Sequence, residues 1–273
     1  MKYMKANDNF FSPENEMERI RAIEPEFEGS YKEVNSVRLP VKIYEPIENN
    51  RTGVAFLIIH GGAWHAIKVD SSTWEGSNML FQAQYYADKG FSTVAISYRD
   101  IEITEDTTAF DLIEDCKDAV AYMKEKIAFD KLVIMGESAG GHLAIELGLD
   151  DEIDADVIIA LNPVLDVVNQ WTYVAKNDKD RTALSPAFNV KKDDSKYFIM
   201  HGTADTAVDS EISKKFVRGM VEAGVDCEYI GLEGEEHAFI ISRYRTTDEK
   251  VFEYMGVIDN YLESIGIYDT DHV

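Results

Sequence analysis

The chain carries five nearly continuous apolar runs separated by segments of helical periodicity, and this alternation restricts its fold more than any other feature. The runs are Gly53 to His60 (GVAFLIIH), Phe91 to Tyr98 (FSTVAISY), Lys131 to Gly136 (KLVIMG), Asp156 to Leu161 (DVIIAL) and Tyr197 to His201 (YFIMH). A strand that faces water on one side alternates apolar with polar residues, whereas one covered on both faces does not. Cys227 to Leu232 adds another strand candidate. Between them, helical spacing covers Trp74 to Asp88, Phe110 to Lys126, Ser138 to Leu149, Ser210 to Ala223 and Glu249 to Ile265. In the second of these, Leu112, Ile113, Cys116, Ala119, Val120 and Met123 follow the i, i+3, i+4 rule. By contrast, Val34, Val37, Leu39, Val41 and Ile43 alternate with polar residues between Tyr31 and Pro46, as an antiparallel hairpin would. The expectation is an α/β fold: a mostly parallel sheet covered by helices on both faces, with an antiparallel start.

At 273 residues with 45% hydrophobic content, the chain suits one large core better than two domains. The division expected is an acidic leader over 1–30, a single catalytic domain over 31–267 and an acidic tail over 268–273. A net charge of -24 opposes nucleic acid and anionic membranes as partners. A well-solvated surface accounts for that acidity more simply than adaptation to salt. Met1 to Glu28 holds no continuous apolar stretch of signal-peptide or membrane-helix length, so the sequence as written reads as cytoplasmic. Cys116 and Cys227 lie far apart and form no metal-like spacing; both read as ordinary core or near-surface residues. No HExxH, HxH or clustered His/Cys set calls for a metal, and no GxGxxG calls for a dinucleotide, so no cofactor is expected.

Gly136-Glu137-Ser138-Ala139-Gly140 is the strongest local signal, because this G-x-S-x-G follows an apolar strand and opens a helical segment. In such an elbow the serine occupies a strained turn, and the glycines remove side chains that would collide with the neighbouring strand and helix. The free N–H groups at the start of the helix favour negative charge nearby. A serine hydroxyl is a weak nucleophile until a histidine accepts its proton and a carboxylate holds that histidine in the right tautomer. His237, in GEEHAF, lies between the last apolar strand and the final helix. Asp205, in HGTAD, lies just beyond YFIMH. The order Ser138, Asp205, His237 is that of an α/β-hydrolase triad. Asp209 is the nearest competitor for the carboxylate, with Glu235 and Glu236 more remote.

A tetrahedral intermediate also needs N–H donors for its oxyanion. His60-Gly61-Gly62-Ala63-Trp64 follows the first buried strand, and the N–H groups of Gly62 and Ala63, with that of Ala139, are the expected donors; Gly61 is an alternative. His60 reads as a loop organiser and Trp64 as a pocket wall or buried anchor. His65 and His142 read as packing or pocket-lining residues, His201 ends a strand, and His272 lies in the tail. The stretch from Val167 to Asp194 is longer than an ordinary connection. Since loops at the carboxyl ends of parallel strands line the ligand crevice, Trp171 within it is a candidate pocket residue beside Trp64.

HGGAW, GESAGGH, HGTAD and EHAF, in this order, resemble the α/β-hydrolase superfamily, specifically serine esterases of the bacterial feruloyl or acetyl esterase and hormone-sensitive-lipase-like groups. Ser97 to Arg99 and Asp115 also resemble those groups' Tyr-Arg and helix-B aspartate features, and the similarity spans Val54 to Ile240. The resemblance implies an eight-stranded mostly parallel sheet, a Ser-His-Asp triad, no cofactor and ester hydrolysis through an acyl-enzyme. Ala63 replaces the third glycine of an HGGG loop, and no insertion makes a large cap. Both departures favour a short or aromatic acyl group on a carbohydrate or small alcohol over a long-chain lipid. A small-molecule or oligosaccharide ester is thus the expected partner, with oligomeric state left open. An amidase of arylformamidase or peptidase type, or a hydrolase-shaped binding protein without turnover, are the alternative readings.

Overall fold

The computed structural model describes residues 12–46, 51–66, 79–101, 106–242 and 244–268. Its eight-stranded sheet has the order β1-β2-β4-β3-β5-β6-β7-β8. The strands are β1 (Phe27–Val34), β2 (Val37–Tyr44), β3 (Val54–Ile59), β4 (Ser92–Ile96), β5 (Lys131–Glu137), β6 (Val157–Leu161), β7 (Lys196–Gly202) and β8 (Cys227–Leu232). β1 and β2 pair antiparallel, β2 runs antiparallel to β4, and all the remaining pairings are parallel. Every apolar run therefore lies in the sheet. The hairpin is longer than its alternation indicates, since β1 begins at Phe27, ahead of Tyr31 and inside the stretch read as leader. Its burial is only partial along β1, which is why its first residues carry no apolar alternation.

The helices are α1 (Pro13–Arg21), α2 (Leu80–Asp88), α3 (Ala109–Lys126), α4 (Ala139–Gly148), α5 (Asp178–Ala183), α6 (Ser210–Glu222) and α7 (Asp248–Ser264). The start of the helix expected from Trp74, the first eleven residues, and the tail with His272 lie outside the described residues. Two apolar layers flank the sheet. One sets Leu57, Ile134 and Ile158 against Leu112, Cys116 and Leu143 from α3 and α4; the other sets Phe56, Met135 and Phe198 against Tyr86 and Ile258 from α2 and α7. Burying strands on both faces in this way is the physical content of their unbroken apolar runs. Within the second layer, Phe56 stacks on Tyr86 with ring centroids 4.0 Å apart. Both cysteines are free thiols, Cys116 buried and Cys227 half-buried. Among the described residues, no helix is long and apolar enough to cross a membrane.

The antiparallel start is tied to the parallel body by charge. Asp115, fully buried on α3, accepts from Lys32 Nζ on β1 at 2.7 Å and from Arg99 Nε at 2.8 Å, and its other contact is the Arg99 backbone N–H at 3.0 Å. Arg99 also reaches Asp111, which caps α3 through a box with Thr108. The Tyr-Arg and helix aspartate features of the sequence thus meet as one ion cluster behind the β4 end. Removing the carboxylate takes away the one fully buried anion of the cluster and leaves Lys32 and Arg99 only their outer partners, Asp118 and Asp111. Asp115→Ala is expected to cost about 2–3 kcal/mol of stability, read as a lower midpoint in urea unfolding.

Candidate active site

β5 ends directly in the serine turn. Ser138 has φ 54° and ψ -115°, a left-handed backbone that an L-residue adopts only when its surroundings hold it there. Its N–H donates to Leu161 O at 2.9 Å, and its carbonyl accepts the first bond of α4 from His142 N. Gly140 makes the turn sterically possible: a Cβ there would lie 2.2 Å from Ile59 O and 2.5 Å from His60 O. The close approach brings the end of β3, with the HGGAW loop, against the start of α4. In that loop Gly62, Ala63 and Trp64 all have positive φ, at 98°, 54° and 63°. Two of these are not glycine, and such strain concentrates where a backbone is held for a purpose. Among the described residues no acceptor takes the N–H groups of Gly62, Ala63 or Ala139. These are the three N–H groups that the sequence singles out as oxyanion donors.

Ser138 Oγ lies 2.9 Å from His237 Nε2, and His237 Nδ1 lies 2.7 Å from Asp205 Oδ2. The structure brings these three sequence-selected residues together in one hydrogen-bonded line. Its alternatives are committed elsewhere: Asp209 caps α6 by accepting from Glu211 N, Glu235 pairs with Lys250, and Glu236 with Arg245. The Asp205 and His237 loops are joined by backbone bonds, Ala204 N to Glu235 O at 2.9 Å and Thr203 N to Leu232 O at 2.9 Å. Gly202 permits that contact, because a Cβ on it would sit 2.2 Å from Glu235 O.

Charge is distributed unequally around this line. Burial alone would raise the Asp205 pKa, but hydrogen bonds from His201, His237 and the Val208 N–H outweigh it and hold the carboxyl well below the usual carboxylate range. Burial alone would lower the His237 pKa; the bond to Asp205 and the charges of Glu137 and Asp205 overcome that and leave it raised above its ordinary 6.5. Glu137, the variable residue of the elbow, is buried with Oε1 3.9 Å from His237 Nε2, and burial pushes its pKa up. Asn162 holds it, donating from Nδ2 to Glu137 Oε1 at 2.8 Å while its own Oδ1 accepts from Ala238 N at 3.3 Å. Asn162 itself has φ 37° and is fully buried. Neither residue stood out in the sequence: Asn162 follows a strand with no motif around it, and Glu137 occupies the unconstrained place in G-x-S-x-G.

The remaining histidines separate by environment. His60 donates from Nδ1 to Gly61 O at 2.6 Å, meets Ser97 Oγ through Nε2 at 2.9 Å and stacks on Tyr98. Burial pushes its pKa down to about 4, so it organises the loop as a neutral ring. His142 is likewise pushed down to about 4 by burial, donating from Nε2 to Leu184 O and accepting on Nδ1 from Trp64 Nε1 at 3.2 Å. Trp64 is fully buried, so of its two sequence readings the structure has the anchor rather than the pocket wall. His65 sits half-exposed beside Asp100. Trp171 packs edge-on against Trp64 with centroids 5.9 Å apart, and Tyr173 donates to Ala63 O at 3.2 Å. The long excursion, with α5 and two short 3-10 turns, thus rests directly on the HGGAW loop. Among the described residues, no group of His, Cys, Asp and Glu is arranged to hold a metal ion.

Residues 41–162 match the model of the BD-FAE family. Among solved structures, esterase 2 of Thermogutta terrifontis phosphoramylated by tabun superimposes with a TM-score of 0.74 at 25% identity, covering 89% of this chain and 95% of that one. The same esterase with propionate bound gives 0.73 at 26%, covering 90% and 97%, and its form phosphorylated by paraoxon gives 0.74 at 26%, covering 89% and 95%. No match of significance was found among curated proteins.

The Asn162 bridge carries a measurable consequence. Asn162→Ala leaves the Glu137 carboxylate and the Ala238 N–H without their buried partner, and is expected to cost about 2 kcal/mol. Urea unfolding measures the loss; a midpoint equal to that of wild type would remove the bridge from the account.

Proposed function

We propose that this α/β-hydrolase, a serine carboxylic ester hydrolase, acts on short-acyl or aromatic-acyl esters of a carbohydrate or small alcohol through Ser138, His237 and Asp205. The observation that carries the reading is the unbroken line from Ser138 Oγ through the His237 ring to Asp205, at 2.9 and 2.7 Å. His237 Nε2 takes the Ser138 proton as Oγ attacks the ester carbonyl, while Nδ1–H stays with Asp205, which stabilises the imidazolium without itself taking the proton. The carbonyl oxygen becomes an oxyanion received by N–H groups of Gly62, Ala63 and Ala139. His237 then passes its proton to the departing alkoxide, leaving an acyl-Ser138 ester. Water, deprotonated by the same ring, attacks that ester, and the carboxylic acid leaves as Oγ regains its proton. Glu137, close behind Nε2, adds negative potential where the imidazolium forms.

The acyl preference is supported by the similar esterase, which binds propionate in one structure and butyrate in another. The saccharide or small-alcohol side draws on the resemblance of HGGAW and the accompanying motifs to feruloyl and acetyl esterases. A p-nitrophenyl ester series tests the acyl preference, followed by acetylated and feruloylated saccharides. Acetate and butyrate are expected to be turned over faster than long-chain esters, whereas a laurate optimum would overturn the short-acyl reading. Ser138→Ala is expected to lower kcat/KM roughly a million-fold and to abolish labelling by paraoxon.

The pH dependence has a definite sign. His237 must be neutral to accept the serine proton, and its pKa is raised above 6.5. The rate of ester hydrolysis is thus expected to fall as pH drops through a limb whose midpoint lies above 6.5, with Asp205 ionised throughout that range. A kcat/KM profile flat down to pH 5 would contradict the assignment of His237.

A further inference from the structure

His201 ends β7 and carries no role in the proton path from Ser138, yet its ring is fully buried against the triad carboxylate. Its Nε2 lies 3.1 Å from Asp205 Oδ2 and 3.1 Å from Val208 O, and its Nδ1 lies 2.8 Å from Ser213 Oγ on α6. Both neighbours of Nε2 are acceptors, so that nitrogen carries a proton. The Ser213 hydroxyl, which can donate or accept, meets Nδ1 and holds the ring in this orientation.

Asp205 is therefore held by four donors. Oδ1 accepts from the backbone N–H groups of Ala207 at 2.8 Å and Val208 at 2.9 Å, while Oδ2 accepts from His237 Nδ1 at 2.7 Å and His201 Nε2 at 3.1 Å. The two imidazoles compete for one oxygen. We propose that His201 is a positioning residue that shares Asp205 Oδ2 with His237 and so limits how strongly the carboxylate draws the His237 proton. This rests on the triad reading above and extends it: the ring that never meets substrate adjusts the basicity of the ring that does.

The direction of the effect follows from the contacts. The His201 N–H presents a positive dipole to the oxygen that His237 uses, and withdraws part of its negative charge. Without that dipole, Oδ1 remains tied to two backbone donors, the carboxylate keeps its plane, and Oδ2 acts on His237 undivided. Other charges facing His237 are Glu137, 3.9 Å from Nε2, and Arg245, which opposes its protonation. Neither contacts His201, so both stay in place when that residue changes.

The test follows the His237 titration by NMR in the full chain with labelled histidine, beside kcat and KM for p-nitrophenyl acetate. His201→Phe keeps a ring in the cavity and removes both nitrogens. The His237 midpoint is expected to rise by about half a pH unit or more, carrying the acid limb of kcat/KM upward. His201→Gln, whose amide N–H reaches toward Oδ2, is expected to bring the midpoint at least part of the way back. A merely structural histidine would lower stability in both variants without moving the midpoint, and an unmoved midpoint in His201→Phe overturns the proposal. Should His201→Phe not fold, Ser213→Ala removes the hydroxyl that pins Nδ1; a smaller rise supports the proposal and none overturns it. Wild type that hydrolyses no ester would sink the esterase reading alone, since the NMR midpoints still report on His201.

Discussion

The close approach of backbone segments at the carboxyl end of the sheet is the constraint from which the reactive geometry descends. α4 starts against the end of β3, where Gly140 faces Ile59 O and His60 O with no space for a Cβ. That contact fixes the HGGAW loop beside the serine turn, so the loop with Gly62 and Ala63 and the turn with Ala139, proposed to share the oxyanion, are neighbours. Ser138 bears the cost in its left-handed backbone, and the surrounding sheet bonds keep it there. A second approach, Gly202 against Glu235 O, brings the Asp205 loop to the His237 loop in the same manner.

Two buried carboxyls then receive opposite treatment from their surroundings. Asp205 has donors on both oxygens, which overcome burial and keep it ionised. Glu137 has Asn162 on one oxygen and is dominated by burial, which raises its pKa. The same residue type of charge, in neighbouring positions around one histidine, thus serves as a permanent anion in one case and a weaker acid in the other. Similar sorting applies to the histidines. His60 and His142 are kept neutral by burial, while His237, mostly buried but beside two carboxyls, is drawn toward protonation.

Much of the fold was legible because double-sided burial leaves an unmistakable trace, and GVAFLIIH, KLVIMG and DVIIAL all lie in buried strands. β1 was read short because its residues are mostly half-exposed and need no alternation. At the site, Ser138, Asp205 and His237 stood out through loop position and chain order. Asn162, Glu137 and His201 did not, because each acts through a partner distant in sequence: Asn162 through Ala238, Glu137 through His237, and His201 through Ser213 and an Asp205 whose loop folds back on it. Trp64 could be read two ways, and only its enclosure with His142 and Trp171 decides for an anchor.

The sequence by itself determined the alternation of strand and helix and the place of Ser138, Asp205 and His237 in strand-end loops. Those properties are local: burial on two faces demands apolar runs, and a tight strand-to-helix turn demands small residues around its serine. Tertiary structure alone decided which carboxylate meets His237, since Asp209, Glu235 and Glu236 were all available until each was seen paired elsewhere. It also decided that two imidazoles share one Asp205 oxygen. Hydrogen bonds form over about 3 Å in space, and no spacing along a chain records which loops will come that close.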